Sequence, residues 1–180
     1  MRKISLFIAM SLDGYIADSK GGVDWLNGQD NDEDNDDENI DTYSEFAKTI
    51  DTILMGWNTY HQVVTELSPK EWGYNEFTTY VITHNEHTSS ENIRFVNINP
   101  VDLVKKLKEK KGKDIWICGG ANLVQQLVNE DLIDYYYITV IPTLLGSGIR
   151  LFENTKHEIK LRLLNTQSYN GMTDLIYTRR

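Results

Sequence analysis

The stretch Asp114-Ile115-Trp116-Ile117-Cys118-Gly119-Gly120-Ala121-Asn122-Leu123-Val124-Gln125-Gln126-Leu127-Val128 decides the fold. Residues 114–118 read as an apolar strand, two glycines break it, and Leu123, Val124, Leu127 and Val128 recur at helical spacing. The same design stands upstream, where strand 52–55 meets Gly56 and a short helix runs through Tyr60, His61, Val63 and Val64. Glycine permits a tight turn and close backbone approach. The helix that follows aims unpaired N–H groups and a partial positive charge past the end of the strand. In an open α/β sheet both junctions fall at carboxyl ends of strands, so together they can hold one pyrophosphate from two sides. Neither junction matches G-x-G-x-x-G or G-x-x-x-x-G-K-[ST], which excludes the Rossmann and P-loop readings.

Working outward, residues 3–10 form a buried strand, and Ser11-Leu12-Asp13-Gly14 is a turn cluster leading into Tyr15-Ile16-Ala17. Thr42 to Ile50 has helical spacing, with Thr42 as N-cap and Glu45 completing a capping box. Strands are expected at 77–83 and 93–98, then a helix opened by Pro100. Three more follow at 135–141, 159–169 and 172–179. Alternating strands and helices imply a mainly parallel sheet with helices on both faces, and the closing strands an antiparallel hairpin.

The chain has 180 residues, which fits a single domain spanning 1–180, and its 40% hydrophobic and 25% charged residues are ordinary globular usage. Eight acids in residues 30–41 account for all but one of the net charge of −9, which makes 28–41 an acidic surface loop. That balance argues against nucleic acid, and no apolar run reaches membrane-span length. One cysteine, Cys118, excludes an internal disulfide and points to a reducing cytoplasm; among apolar neighbours it reads as a core side chain. Six of the acids match EF-hand spacing, but Asn35 replaces the glycine and Asp41 the bidentate Glu, so no metal is assigned. The four histidines are dispersed.

Four ordered motifs carry a resemblance over nearly the whole chain: Ile8 to Ala17 with Trp25 after it, Ile53 to Tyr60, Ile117 to Leu123, and Ile141 to Phe152. The sequence resembles the dihydrofolate reductase-like fold. Within it, Ser-Leu-Asp-Gly and Leu-Leu-Gly-Ser-Gly are similar to the C-terminal reductase domain of bacterial riboflavin-biosynthesis deaminase/reductases. The resemblance implies a three-layer α/β reductase that binds NADPH, with NADH admissible, acts on a small molecule and forms a homodimer. It also implies a cofactor site of Ala9, Ile16, Gly56, Trp57, Asn58, Thr59, Thr83, Gly119, Gly120, Ala121, Asn122 and Leu123. Trp57 stands where the family places an Arg on phosphate, which weakens the case for NADPH over NADH.

For the proton donor the resemblance points to a carboxylate on the first helix, Asp41 or Glu45. Asp13 is a further candidate, or simply an Asx turn. Trp25, Phe46, Thr139 and Arg150 are the substrate-side candidates, Arg150 for a phosphate. No Arg occurs between residues 3 and 93 and loop 65–76 offers only Lys70, so the guanidinium that would hold a folate tail is missing. The expected function is therefore hydride transfer to a small heterocyclic or carbonyl substrate. The alternatives are a weak dihydrofolate reductase and a non-catalytic dinucleotide-binding module. The full zinc signature of a fused deaminase is absent from the sequence, because a single cysteine cannot make its C-x-x-C half.

Overall fold

The computed structural model describes residues 1–29 and 41–180. Most of the acidic loop, with its EF-hand-like spacing, lies outside the described residues. In chain order the elements are β1 (Ile4–Ser11), β2 (Tyr15–Ala17), α1 (Thr42–Ala47), β3 (Ile50–Gly56), α2 (Trp57–Gln62, continued by a π-helical turn Val63–Leu67), β4 (Thr78–Ile82), β5 (Ile93–Val96) and α3 (Pro100–Lys108). They continue with β6 (Asp114–Gly119), α4 (Ala121–Asn129), β7 (Tyr135–Ile141), β8 (Ile149–Arg150), β9 (Leu161–Tyr169) and β10 (Met172–Arg179).

Eight strands form one sheet in the order β5-β4-β3-β6-β1-β7-β10-β9. The first six are parallel; β10 runs opposite to them and pairs antiparallel with both β7 and β9, the latter as a closing hairpin. Chain order reverses at β6, which inserts between β3 and β1 and so sits at the centre of the sheet. β2 and β8 pair separately as a two-stranded flap.

The central strands are apolar on both sides because helices cover both faces. Leu103, Val104 and Leu107 of α3 and Leu123, Val124, Leu127 and Val128 of α4 pack with Ile4, Leu6, Ile115 and Ile117. The opposite face is aromatic: Phe46 of α1 stacks on Phe7 with centroids 4.7 Å apart and meets Trp116 edge-on at 5.7 Å. Tyr136 of β7 is buried on the first face and Tyr137 packs on the second, so both belong to the core. The exposed apolar side chains of the hairpin are instead Leu163 and Leu164 on edge strand β9.

Two local expectations are corrected. The first helix ends at Ala47, because Ile50 already belongs to β3. Its N-cap is Asp41, whose carboxylate accepts from the Ser44 amide at 3.1 Å, and not Thr42. The Thr42 hydroxyl donates instead to Asp174 of β10, 2.8 Å away. A tertiary partner has taken the side chain that the capping pattern assigned locally.

Phe46 is 2% exposed and joins α1 to the sheet through the aromatic stack. Phe46→Ala should lower unfolding free energy by about 3–5 kcal/mol, as deep aromatic truncations do. Urea denaturation with an unchanged m-value is the measurement.

Candidate functional site

β3 and β6 are neighbours, with Leu54 opposite Ile117 and Met55 opposite Gly119, so the two glycine junctions end side by side. A Cβ on Gly56 would lie 3.9 Å from the Gly120 nitrogen, and one on Gly120 would lie 3.4 Å from the Thr59 hydroxyl. Gly119 has φ +130°, a conformation that L side chains rarely adopt. The helices following these junctions differ from the other two. α1 and α3 are capped by the side chains of Asp41 and Asn99, whereas α2 and α4 begin at Gly56 and Gly120 with no side-chain cap. First-turn N–H groups without such a cap suit an acceptor from outside the chain.

The groove in front of them has a volume of about 1380 Å³. Ala9, Ile16, Gly56, Trp57, Asn58, Thr59, Gly119, Gly120, Ala121, Asn122 and Leu123 all line it. Eleven of the twelve cofactor candidates therefore share one wall system. Thr83 is buried at the end of β4, where its hydroxyl accepts from the Asn85 amide at 3.2 Å; its neighbours Ile82 and His84 line the groove. Among the described lining residues the only formally charged groups besides histidine are Lys20 and Glu66, so no guanidinium awaits a phosphate. Trp57 instead stacks on His87, centroids 4.3 Å apart. Cys118 also lines the wall, and burial pushes its thiol up to about 12, which keeps it neutral and unreactive.

A second concavity of about 850 Å³ lies along Lys3, Tyr135 and Arg179, beside the start of β1 and the end of β10. Most of its charges are already paired: Arg179 with both Asp131 and Asp134 at 3.0 Å, Lys3 with Asp134 at 3.7 Å and Lys160 with Glu158 at 3.5 Å. The chemistry-bearing wall is the groove.

The family model of the RibD C-terminal domain matches residues 2–175. The chain belongs to that family. It is 41% identical to the uncharacterized Bacillus subtilis protein YwjB over 99% of this chain and 98% of the relative. Among solved structures, a Shewanella sp. PV-4 protein named for riboflavin biosynthesis superposes with TM-score 0.82 at 29% identity, covering 99% of both chains. Enterococcus faecalis dihydrofolate reductase, solved with NADP(H) and RAB-propyl, superposes with TM-score 0.67 at 18% identity over 98% of this chain and 96% of that one, which bears on the fold alone. The fold of this RibD C-terminal domain is thus the dihydrofolate reductase-like one.

The two motifs that carried the riboflavin-type resemblance touch each other. Asp13 accepts from the Ser11 hydroxyl at 2.6 Å and from the amides of Leu145 at 3.1 Å and Gly146 at 2.8 Å. It is a long-range latch and not a local Asx turn. The Ser11 hydroxyl, helped by the Gly146 and Leu145 amides against a smaller opposing effect of burial, holds its carboxyl down at about 2. An acid of that strength is ionised at neutral pH and unsuited to giving a proton.

Asp41 and Glu45 are both exposed, the first capping α1 and the second paired with Lys48 one turn on. Hydrogen bonds from Ser44 hold Asp41 below the usual carboxylate range. Trp25 is half-buried and donates its indole N–H to Gly22 O at 3.1 Å, close to the groove wall at Val23 and Leu26. Arg150 lies over the Tyr15 ring, 4.7 Å from its centroid, and donates to the Tyr15 hydroxyl at 3.2 Å. Phe46 belongs to the core stack. Thr139 stands beside Ala9 in register and donates to Asp174 at 2.6 Å. Asp174 is the residue that sequence reading passed over: inside a strand of mixed polarity, nothing local marks a lone acid as buried.

Gly120→Val should abolish dinucleotide binding, because branched atoms there fill the approach between Thr59 and α4 while the sheet stays intact. Fluorescence titration with NADPH beside an unchanged circular dichroism spectrum checks this. Asp13 has a second, pH-dependent signature. Its folded pKa lies below the ordinary 3.8, so the stability it contributes is present above pH ~4 and is lost as pH falls toward 2. Asp13→Asn should therefore melt earlier than the parent at pH 7, with the difference shrinking on acidification in thermal scans.

Proposed function

We propose that this RibD C-terminal domain is an NADPH-dependent reductase that transfers hydride to a small heterocyclic or carbonyl compound. The observation that carries the reading is the pair of glycine-led, uncapped helix starts on adjacent parallel strands, facing one groove with Ala9 and Ile16 on its wall. Those residues fit a dinucleotide: the glycines themselves put no side chain between the junctions, the Thr59 hydroxyl stands beside Gly119 and Gly120, and N–H groups of two helices converge there. The pyrophosphate would rest on α2 and α4, and the nicotinamide amide against the backbone of Ala9 and Ile16. Bound there, the dihydronicotinamide supplies a hydride. The chain's own part is to hold that ring at the carboxyl end of β1, exclude water with the β2–β8 flap, and present the substrate from the side of Thr139.

A second reading, a binding module without catalysis, has one observation in its favour. Asp13 is latched and ionised, while Asp41 and Glu45 point to solvent, so none of the three is an organised proton donor. NADPH oxidation with a panel of pyrimidine, pterin and carbonyl compounds separates the two: turnover of any compound above background supports the reductase, and tight NADPH binding without turnover supports the module.

The cofactor and substrate preferences follow from charge. With Lys20 the single lysine on the described wall and Trp57 in place of a guanidinium, NADPH and NADH should differ by less than about tenfold in kcat/KM. Dihydrofolate should be reduced with kcat/KM below ~10⁴ M⁻¹s⁻¹, because a carboxylate tail lacks a bidentate partner worth about 1.5–3 kcal/mol. Arg94, the first arginine after Arg2, is occupied with the Tyr80 hydroxyl at 3.0 Å. Steady-state kinetics with both cofactors and with dihydrofolate test these points. A homodimer fits the half-exposed Leu163 and Leu164 on edge strand β9, and sedimentation as a monomer at micromolar concentration would exclude it.

A further inference from the structure

Among the described residues two aspartates are buried, and their surroundings are opposite. Asp134, 6% exposed, has Lys3, Lys108 and Arg179 within 4 Å. Asp174, 3% exposed, forms no ion pair with a described residue, and the sequence of 30–40 contains no base. Its carboxylate is held by neutral donors alone. The Thr139 hydroxyl at 2.6 Å and the Tyr169 hydroxyl at 3.3 Å reach one oxygen; the Thr42 hydroxyl at 2.8 Å and the Gln167 amide at 3.0 Å reach the other.

A buried carboxyl without a basic partner is a cost that the fold does not need, since an amide of the same shape could join α1 to β10. The location indicates what it serves. Ala9, Thr139, Asp174 and Gln167 follow one another in register across β1, β7, β10 and β9, so their side chains share the α1 face. The first of them lines the groove, and Thr139 is half-buried. A threonine hydroxyl has one proton and two lone pairs. Asp174 accepts from four neutral donors, so it fixes the Thr139 proton on itself and leaves Thr139 an acceptor toward whatever lies beside Ala9.

We propose that Asp174 is a positioning residue that makes Thr139 a hydrogen-bond acceptor for the substrate, so that the site selects a planar heterocycle turning an N–H edge toward β7. The inference rests on the reductase reading for the placement of the substrate. It differs from the sequence expectation in taking the working carboxylate from the last strand and not from the first helix.

The test is calorimetric binding of pterin and of 3-methylpterin, which lacks the ring N3–H, with and without NADPH, to the parent chain, Asp174→Asn and Thr139→Val. The parent should prefer pterin by about tenfold, the upper range for one hydrogen bond. In Asp174→Asn the amide can donate, Thr139 is no longer held as an acceptor, and the preference should fall below about threefold. Thr139→Val should lose it as well. Because Thr139→Val leaves Asp174 its other three donors, it decides the matter if Asp174→Asn does not fold. Equal binding of the two compounds by the parent, binding of neither, or an unchanged preference in the folded variants overturns the proposal. Absence of NADPH binding with the preference intact would overturn the reductase reading and leave the role of Asp174 standing.

Discussion

The parallel pairing of β3 with β6 is the constraint on which the rest of the molecule depends. β6 is made late in the chain, after β4, β5 and α3, yet it inserts between β3 and β1. Only that insertion brings Gly56 and Gly120 within van der Waals reach of each other and aims α2 and α4 at the same space. Each junction alone is an ordinary strand-to-helix turn. Side by side at a reversal of strand order, they become an anion cradle of the kind open α/β sheets place at their carboxyl ends.

Around this cradle the polar chemistry is sorted by position along the strands. Near the start of β1, Asp134 gathers Lys3, Lys108 and Arg179, fastening β1, α3, β7 and β10 by charge. Near the carboxyl end of β1, hydrogen bonds to carboxylates replace ion pairs: Asp13 latches the loop before β8 through two amides, and Asp174 collects three hydroxyls and an amide. Fixed neutral donors around an acceptor-only group set the direction of each proton, whereas an ion pair sets mainly distance. That division suits one end built to hold the sheet and another built to orient small molecules.

The aromatic face explains why the substrate side was harder to read than the cofactor side. Phe46 was an apparent contact residue by resemblance, but Phe7, Trp116 and Tyr137 enclose it. Burial of that ring contributes more to holding α1 than any ligand contact would. The same competition moved Thr42 from cap to network, because a buried carboxylate outbids one exposed backbone amide for a hydroxyl.

The sequence by itself determined the mainly parallel sheet, the closing hairpin, the family and nearly the whole wall of the groove. Those features are written locally: apolar runs, glycine breaks and helical spacing each report on a few consecutive residues, and the backbone cradle uses residues next to the glycines. Tertiary structure alone decided that the Ser-Leu-Asp-Gly and Leu-Leu-Gly-Ser-Gly motifs form one latch through Asp13, more than 130 residues apart in sequence at the contact. It alone decided that Asp41 and Glu45 face solvent while Asp174 is buried beside Thr139. The physical reason is that burial and ionisation belong to no residue type. They follow from which strands are neighbours, and in this sheet the register of β1, β7 and β10 settles that.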